Sequence, residues 1–257
     1  MLPYLDLFGL TLPTYGIFVS LGMLLGVAFV VFCCRKNHIE LYKCIITATF
    51  SLCVGFFGAK VLSVLTLYSP SRIAQLFVED PIRLFTDSGL VFFGGLVFAV
   101  PFGLIAARLL RLDLKECEDV LTSAISLGHA FGRVGCFFAG CCYGCESEFL
   151  GVVYKNSESF APIGVSLFPI QLVEAIFELF LFAFLVIIGK RFHGARLCLP
   201  LYLVMYPTFR FFAEFFRGDE IRGICMGLST SQWISIIVGI AGGIILFFRL
   251  KRKNQLT

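Results

Sequence analysis

Charged residues are scarce in this sequence and make up only 15% of its 257 residues, whereas soluble domains carry about 25%. Hydrophobic residues make up 58%, and the mean hydropathy is +0.92. A single water-soluble core cannot bury that much apolar surface, so the composition excludes a soluble globular domain. Linkers, low-complexity tracts and internal repeats are also lacking, which predicts a single transmembrane domain over residues 1–257.

The apolar residues occur in runs of about 20, the length that a helix needs to cross roughly 30 Å of hydrocarbon. The sequence therefore predicts an all-α, polytopic membrane helix bundle. No basic segment precedes the first span, so we expect it to be retained rather than cleaved as a signal peptide. The seven predicted spans are Leu12–Cys34, Cys44–Leu67, Gly89–Ala107, Asp119–Phe138, Pro169–Gly189, Leu197–Phe216 and Ser231–Phe248.

Lysine and arginine are unevenly distributed between alternate loops, and cytoplasmic loops are the ones that retain positive charge. One set of loops, together with the C-terminal tail, carries most of the 21 basic residues. This asymmetry predicts an outer N-terminus and a cytoplasmic C-terminus. It also accounts for the formal net charge of +4, so we predict no nucleic-acid partner. The opposite set of loops holds only Arg72, Arg83, Lys155 and Arg222.

Two of the predicted outer connections are long, at about residues 68–88 and 140–168. Either could hold short interfacial helices or a small extracytoplasmic cap. The inner loops are shorter, so the outer face is where we expect a soluble-side partner to dock.

Several predicted spans contain ionisable residues, which cost at least about 2.5 kcal/mol at the membrane centre and normally face an interior cavity. These residues are spaced along single helix faces of the fourth, fifth and sixth spans. In the fourth span, Gly128, Gly132 and Gly135 also predict a strip on which another helix packs closely. The three polar sets are His129, Arg133 and Cys136; Gln171, Glu174 and Glu178; and Tyr206, Arg210, Glu214 and Arg217.

Two interpretations of these charges stay open from the sequence. The first is structural ion pairing, of Arg210 with Glu214 within one helix and of Arg133 or Lys60 with Glu174 between helices. The second is phosphate binding, because the arginines outnumber the nearby carboxylates and a guanidinium can contact a phosphate through two hydrogen bonds. In a membrane, the obvious phosphate is that of a lipid head group.

Four of the 11 cysteines, Cys136, Cys141, Cys142 and Cys145, are close together in the sequence. The C-x2-C spacing of the last two could bind zinc. Their predicted outer location equally allows a disulfide, for example with Cys225. Packing around a tight turn is the third interpretation, and we predict no metal and no cofactor.

The segment GRVGCF at residues 132–137 resembles the G-R-x-G-N-F signature of the prolipoprotein diacylglyceryl transferase family. Other segments agree in the same order over nearly the whole chain. Residues 14–16, 58–60 and 94–95 are similar to the family's W-Y-G, G-A-R and G-G segments. Residues 169–174 resemble P-x-Q-L-Y-E, and residues 206–217 resemble Y-x-x-x-R-x-x-x-E-F-F-R.

The resemblance implies a multi-pass enzyme of the bacterial inner membrane. Such an enzyme transfers diacylglyceryl from phosphatidylglycerol, or a related anionic phospholipid, to the lipobox cysteine of a lipoprotein precursor and releases glycerol phosphate. The matching positions make Arg133, Arg210 and Glu214 catalytic candidates, because the arginines would stabilise the departing phosphate while Glu214 orients Arg210. The substrate-binding candidates are Tyr15, Tyr206, Arg217, Cys136, Gln171 and Glu174.

The chain departs from the family pattern at several positions. The family histidine before the Gly-Gly pair, a candidate for activating the acceptor thiol, is Phe93 here. Its loss removes the natural general base near neutral pH. We interpret His129, at a different position, as a hydrogen-bonded packing residue. The other departures are Cys136 for an asparagine, Cys141 for an acid, Phe168 for a histidine and Val173 for a tyrosine.

Two other functions stay open. One is a transferase that uses the same donor with a different acceptor. The other is a lipid-binding or transport protein without chemistry, in which the arginines only recognise an anion. Against transport, the sequence contains no pair of broken helices in corresponding halves.

Overall fold

The computed structural model describes residues 3–7, 9–80, 82, 89–218 and 224–254. Over these residues the chain forms a bundle of long helices, and α7 continues into a 3-10 helix, Glu214–Phe216. The all-α membrane helix bundle predicted from the sequence is therefore confirmed. The helices are α1 (Thr14–Lys36), α2 (Leu41–Leu67), α3 (Pro70–Glu79), α4 (Phe92–Leu109), α5 (Leu114–Ala139), α6 (Ile170–Arg191), α7 (Cys198–Ala213) and α8 (Thr230–Asn254).

Each of the seven predicted spans corresponds to one of these helices. Five of them, α1, α2, α4, α6 and α8, are long and apolar enough to cross a membrane. Helix α5 carries several charged residues. Helix α7 has 16 residues, which at 1.5 Å per residue gives a length of about 24 Å. The chain is thus a multi-pass membrane protein, and the count of seven spans stays a prediction.

Three short antiparallel hairpins lie at the end of the bundle where α1, α6 and α8 begin and where α5 and α7 end. We call this the site end. The two long predicted loops do contain short elements: α3 lies in the first and a hairpin in the second, while residues 81 and 83–88 of the first lie outside the described residues. The strands are β1 (Tyr4–Leu7), β2 (Leu10–Pro13), β3 (Val152–Val153), β4 (Ser166–Leu167), β5 (Ile224–Cys225) and β6 (Leu228–Ser229).

Glycines allow two helix pairs to approach closely. In the α2–α4 pair, a Cβ added to Gly58 would lie 2.6 Å from the Gly94 carbonyl oxygen. In the α1–α5 pair, a Cβ on Gly135 would lie 3.1 Å from the Tyr15 carbonyl oxygen, as the predicted glycine strip requires. The same prediction is wrong for Gly132, because a Cβ there would meet no atom within 4 Å.

A buried cluster of charges closes the opposite end of the bundle. Glu118 on α5 is 4% exposed and forms ion pairs with Arg196, which precedes α7, and with Arg249 on α8. The neighbouring Asp119 accepts a hydrogen bond from the backbone N–H of Cys198 over 3.0 Å. These contacts join three elements far from the site end and make no contact with the residues described next.

Candidate active site

Glu174 on α6 lies at the centre of a buried charged cluster at the site end. Arg133 from α5 has its Nε 2.5 Å from Oε2 of Glu174, and Arg210 from α7 donates from Nη1 to Oε1 over 3.1 Å. Arg217 places Nη1 3.8 Å from the same Oε1. The predicted interhelical pair of Arg133 with Glu174 is therefore confirmed, and the structure adds two more arginines to it.

Arg210 has further partners around its second nitrogen. Nη2 lies 2.5 Å from Oε2 of Glu214 and donates a long hydrogen bond of 3.5 Å to the Ser231 hydroxyl on α8. The predicted pair of Arg210 with Glu214, one turn apart, is confirmed. The cluster thus brings three guanidinium groups together around Glu174, and Glu214 adds a second carboxylate beside Arg210.

Arg217 does not lie on the helical stripe that the sequence predicts. Helix α7 ends at Ala213, and Arg217 is extended with ψ near 138° after the 3-10 helix. Its backbone bridges to Gly144, and the N–H of Gly218 donates to the Tyr143 carbonyl over 3.1 Å. Pairing with the segment after α5 therefore replaces the last helical turn, and the Arg217 side chain still reaches the cluster.

His129 belongs to a hydrogen-bonded chain beside these arginines. Its Nδ1 is 2.8 Å from Oε1 of Glu178, whose Oε2 accepts from Ser126 over 2.6 Å. Arg133 donates from Nε to Nε2 of His129 over 3.3 Å, which assigns the proton of the neutral ring to Nδ1. The ring also stacks on Phe92 at 3.6 Å between centroids. Both ring nitrogens of His129 therefore contact neighbouring side chains, as expected for a hydrogen-bonded packing residue.

Two tyrosines predicted to bind substrate lie around this cluster. Tyr206 is 1% exposed, and its hydroxyl has no hydrogen-bond partner among the described residues. Its ring packs against Phe93 at 5.6 Å and against His129 at 5.0 Å. Leaving a buried hydroxyl without a partner costs about 1–3 kcal/mol, so this group is available to a ligand oxygen. Tyr15 is half-buried at the start of α1, against Gly135.

Three thiols converge where α5 ends. The sulfur atoms of Cys136, Cys141 and Cys142 all lie within 4.8 Å of one another. The chain turns back because Gly140 and Cys142 adopt left-handed backbone conformations, with φ of 75° and 58°. Cys145, which the C-x2-C spacing would join to Cys142 in a zinc site, is exposed and lies outside this group.

These three cysteines are free thiols rather than disulfides. The Cys225 side chain, the suggested disulfide partner, lies outside the described residues. The pKa of Cys142 lies well below its usual value, because hydrogen bonds from Cys136 and Cys141 and then the charges of Arg217 and Arg133 favour the thiolate against the effect of burial.

Gln171, another predicted substrate-binding residue, supports the thiol group from α6. Its Nε2 donates to the Cys141 carbonyl over 2.8 Å and to the Tyr154 hydroxyl over 3.4 Å. Tyr154 comes from the loop after α5, and burial raises its pKa to about 12. Tyr154 and Ser231 were not predicted from the sequence, because neither stands in a recognisable motif.

Two of the cavities among the described residues open at the site end. One has a volume of about 230 Å³ and is lined only by apolar residues at the site ends of α6 and α7. Two of these residues, Val173 and Phe209, are the sequence neighbours of Glu174 and Arg210. The other, of about 370 Å³, lies among Tyr143, Glu146 and Gly218. The residues lining the apolar cavity are Phe168, Ile170, Val173, Phe209, Phe212, Ala213 and Phe216.

Comparison with known proteins identifies the family of this chain. Residues 3–248 match the model of the family described as prolipoprotein diacylglyceryl transferase. The chain is 32% identical to phosphatidylglycerol–prolipoprotein diacylglyceryl transferase 2 of Clostridium perfringens, over 97% of this chain and 95% of the relative. It is 30% identical to the transferase of Clostridium tetani, over 97% of both chains, and 30% identical to that of Dehalococcoides mccartyi, over 96% and 92%. The chain therefore belongs to the prolipoprotein diacylglyceryl transferase family and is a membrane transferase.

Proposed function

We propose that this transferase moves the diacylglyceryl group of phosphatidylglycerol, or of a related anionic phospholipid, to the lipobox cysteine of a lipoprotein precursor. The observation that carries the proposal is the convergence of Arg133, Arg210 and Arg217 on Glu174, at the end of the bundle where α6 and α7 also form an apolar cavity. The named relatives act on the same two substrates. We place the reaction at the outer face of the bacterial inner membrane, with the N-terminus outside, because positive charge is concentrated in the alternate loops.

The arginine cluster is suited to a phosphate that gains charge as it leaves. Glu174 and Glu214 hold the guanidinium groups in place before substrate arrives, and each guanidinium can donate hydrogen bonds to phosphate oxygens. Because Arg210 and Arg133 are 2% and 8% exposed, their charges are weakly screened by water. Donors that contact the phosphate more strongly in the transition state than in the ground state lower the barrier. The Tyr206 hydroxyl offers one further donor.

The apolar cavity between α6 and α7 accounts for the lipid part of the donor. Its lining residues are all apolar, and Val173 and Phe209 among them are the sequence neighbours of Glu174 and Arg210. An anionic phospholipid has the same division, with acyl chains joined to a charged phosphate. The cavity would therefore hold part of an acyl chain while the arginines hold the phosphate.

In the proposed reaction the acceptor sulfur attacks the glyceryl carbon that carries the phosphate ester. A carbon–sulfur bond forms, the carbon–oxygen bond breaks, and the electron pair of that bond leaves on the phosphate oxygen as glycerol phosphate. We do not assign the thiol proton to His129, because its ring nitrogens contact Arg133 and Glu178. Phe93 provides no base either.

The test uses the purified full-length protein with phosphatidylglycerol labelled in its acyl chains. We expect label on a lipobox peptide and none on the same peptide with serine in place of its cysteine. Label found only on another acceptor would indicate the same donor with a different acceptor. Binding of the labelled lipid without transfer to any acceptor would favour a lipid-binding or transport protein.

A further inference from the structure

The proposed binding of the phosphate does not use the thiol group formed by Cys136, Cys141 and Cys142. Its sulfur atoms lie within 4.8 Å of one another, and among the described residues no other histidine, cysteine or carboxylate side chain joins them. A tetrahedral zinc ion with Zn–S bonds of about 2.3 Å would hold its sulfurs about 3.8 Å apart. Small side-chain rotations would therefore bring the three thiols to ligand distance and leave one coordination position open.

We propose that Cys136, Cys141 and Cys142 bind one zinc ion, and that its open position takes the sulfur of the acceptor thiol. This inference rests on the proposed function for the identity of the acceptor. Structural zinc sites normally have four protein ligands, whereas sites that act on a substrate keep one position open. Three thiols and an open position therefore indicate a catalytic site rather than a structural one.

The surroundings of the three thiols fit a site that is held ready for a metal. Gln171 fixes the Cys141 carbonyl at 2.8 Å, and the left-handed conformation of Cys142 turns its side chain back to the end of α5. Such a conformation is unfavourable for a residue other than glycine and persists where surrounding contacts maintain it. Outer contacts of this kind orient metal ligands.

Charge balance favours the same assignment. A zinc ion with three thiolates carries one negative charge, and a fourth thiolate from the acceptor raises this to two. Arg133 lies three positions before Cys136 on α5, so the two side chains share a helix face. Its guanidinium would therefore offset part of the charge of the zinc–thiolate group while it faces the donor phosphate.

The proposed zinc site would also do the work of the general base, which the chain lacks because Phe93 stands at the position of the family histidine. A thiol coordinated to zinc loses its proton to solvent and remains bound as a thiolate, so no imidazole is needed to remove the proton. The coordinated sulfur then forms its bond to the glyceryl carbon, glycerol phosphate departs, and the thioether product leaves the zinc for the next acceptor. The zinc ion is neither oxidised nor reduced.

The experiment measures zinc in the full-length protein after purification without chelators and dialysis against zinc. We expect about one zinc per chain, and a loss of at least about tenfold in bound zinc in Cys136→Ser, Cys141→Ser and Cys142→Ser. Cys53→Ser and Cys145→Ser are the matched controls, because both residues are exposed cysteines outside the group, and they should keep their zinc.

X-ray absorption at the zinc edge then tests the open position. We expect three sulfur ligands in the protein alone and four after addition of a lipobox peptide, with no change for the serine peptide. Absence of zinc, zinc that survives in the three variants, a disulfide within the group, or a sulfur count that stays at three would overturn the proposal. Since none of these readings needs turnover, they are separate from the transfer assay that tests the proposed function.

Discussion

Arg210 donates a hydrogen bond to Glu174 over 3.1 Å, although the two residues lie on different helices and 36 positions apart. The arginine is 2% exposed and the glutamate 1% exposed. A buried ion pair contributes little net stability, but removing one partner leaves the other charge buried without compensation. Glu174 also contacts Arg133 and Arg217, so its carboxylate is the one that all three arginines share.

Glu174→Gln should therefore destabilise the protein. The change preserves shape but leaves guanidinium groups without their shared carboxylate, and breaking a buried pair costs about 3–5 kcal/mol. Thermal unfolding in detergent should show a clear fall in Tm. Glu148→Gln, on an exposed loop residue, is the control and should leave Tm unchanged. Equal Tm values for both variants would contradict the central position of Glu174.

Arg210→Lys should lower kcat more than it raises KM. Lysine keeps the positive charge but lacks the planar fork with which the guanidinium contacts Glu174 through Nη1 and Glu214 through Nη2. Loss of one donor that stabilises developing charge lowers kcat by about 10²–10³-fold. Steady-state transfer assays give both constants. The control is Arg72→Lys on the exposed face of α3, and a kcat for Arg210→Lys close to that of the control would rule out the assigned role.

Glu118→Gln separates stability from activity, because it changes a second buried ion-pair cluster at the opposite end of the bundle. Glu118 contacts Arg196 and Arg249 but none of the candidate site residues. We expect a fall in Tm and, below the melting temperature, an unchanged KM for phosphatidylglycerol. A KM that rises in this variant would mean that the two ends are coupled, which the contacts do not predict.

Gln171→Glu tests the support of the thiol group. The carboxylate cannot donate to the Cys141 carbonyl, so the Cys141 backbone loses its 2.8 Å hydrogen bond. Loss of an outer contact of this kind lowers metal affinity by about 10–100-fold. Competition for zinc with a chelator of known affinity measures the change. Gln75→Glu on α3 is exposed and should have no effect; an unchanged affinity in both variants would show that Gln171 does not position the ligands.

The helices were predictable from the sequence because the length of an apolar run and the scarcity of charge are local properties. Helical spacing likewise predicted the pair of Arg210 with Glu214, one turn apart. The prediction failed for Arg217, where α7 ends and the backbone pairs with Gly144. That pairing joins segments more than 70 positions apart, and no helical pattern contains it.

The positions of the thiols were also not predictable from spacing in the sequence. Spacing alone suggested Cys142 with Cys145, but the left-handed conformations of Gly140 and Cys142 bring Cys142 to Cys136 instead. Glycine at the first position is a recognisable signal for a turn. A cysteine is no such signal, because its left-handed conformation depends on the contacts that hold the loop in place.

The proposed transfer is tested most directly by labelling the diacylglyceryl half and the head-group half of the donor with different isotopes. The donor is phosphatidylglycerol with one isotope in its acyl chains and another in its head-group glycerol. It is incubated with the protein and a lipobox peptide, and the mass of the intact peptide is measured by mass spectrometry. The proposed transfer predicts that the peptide gains the acyl label alone, while the head-group label appears in glycerol phosphate. A peptide that carries the head-group label, or neither label, would contradict it.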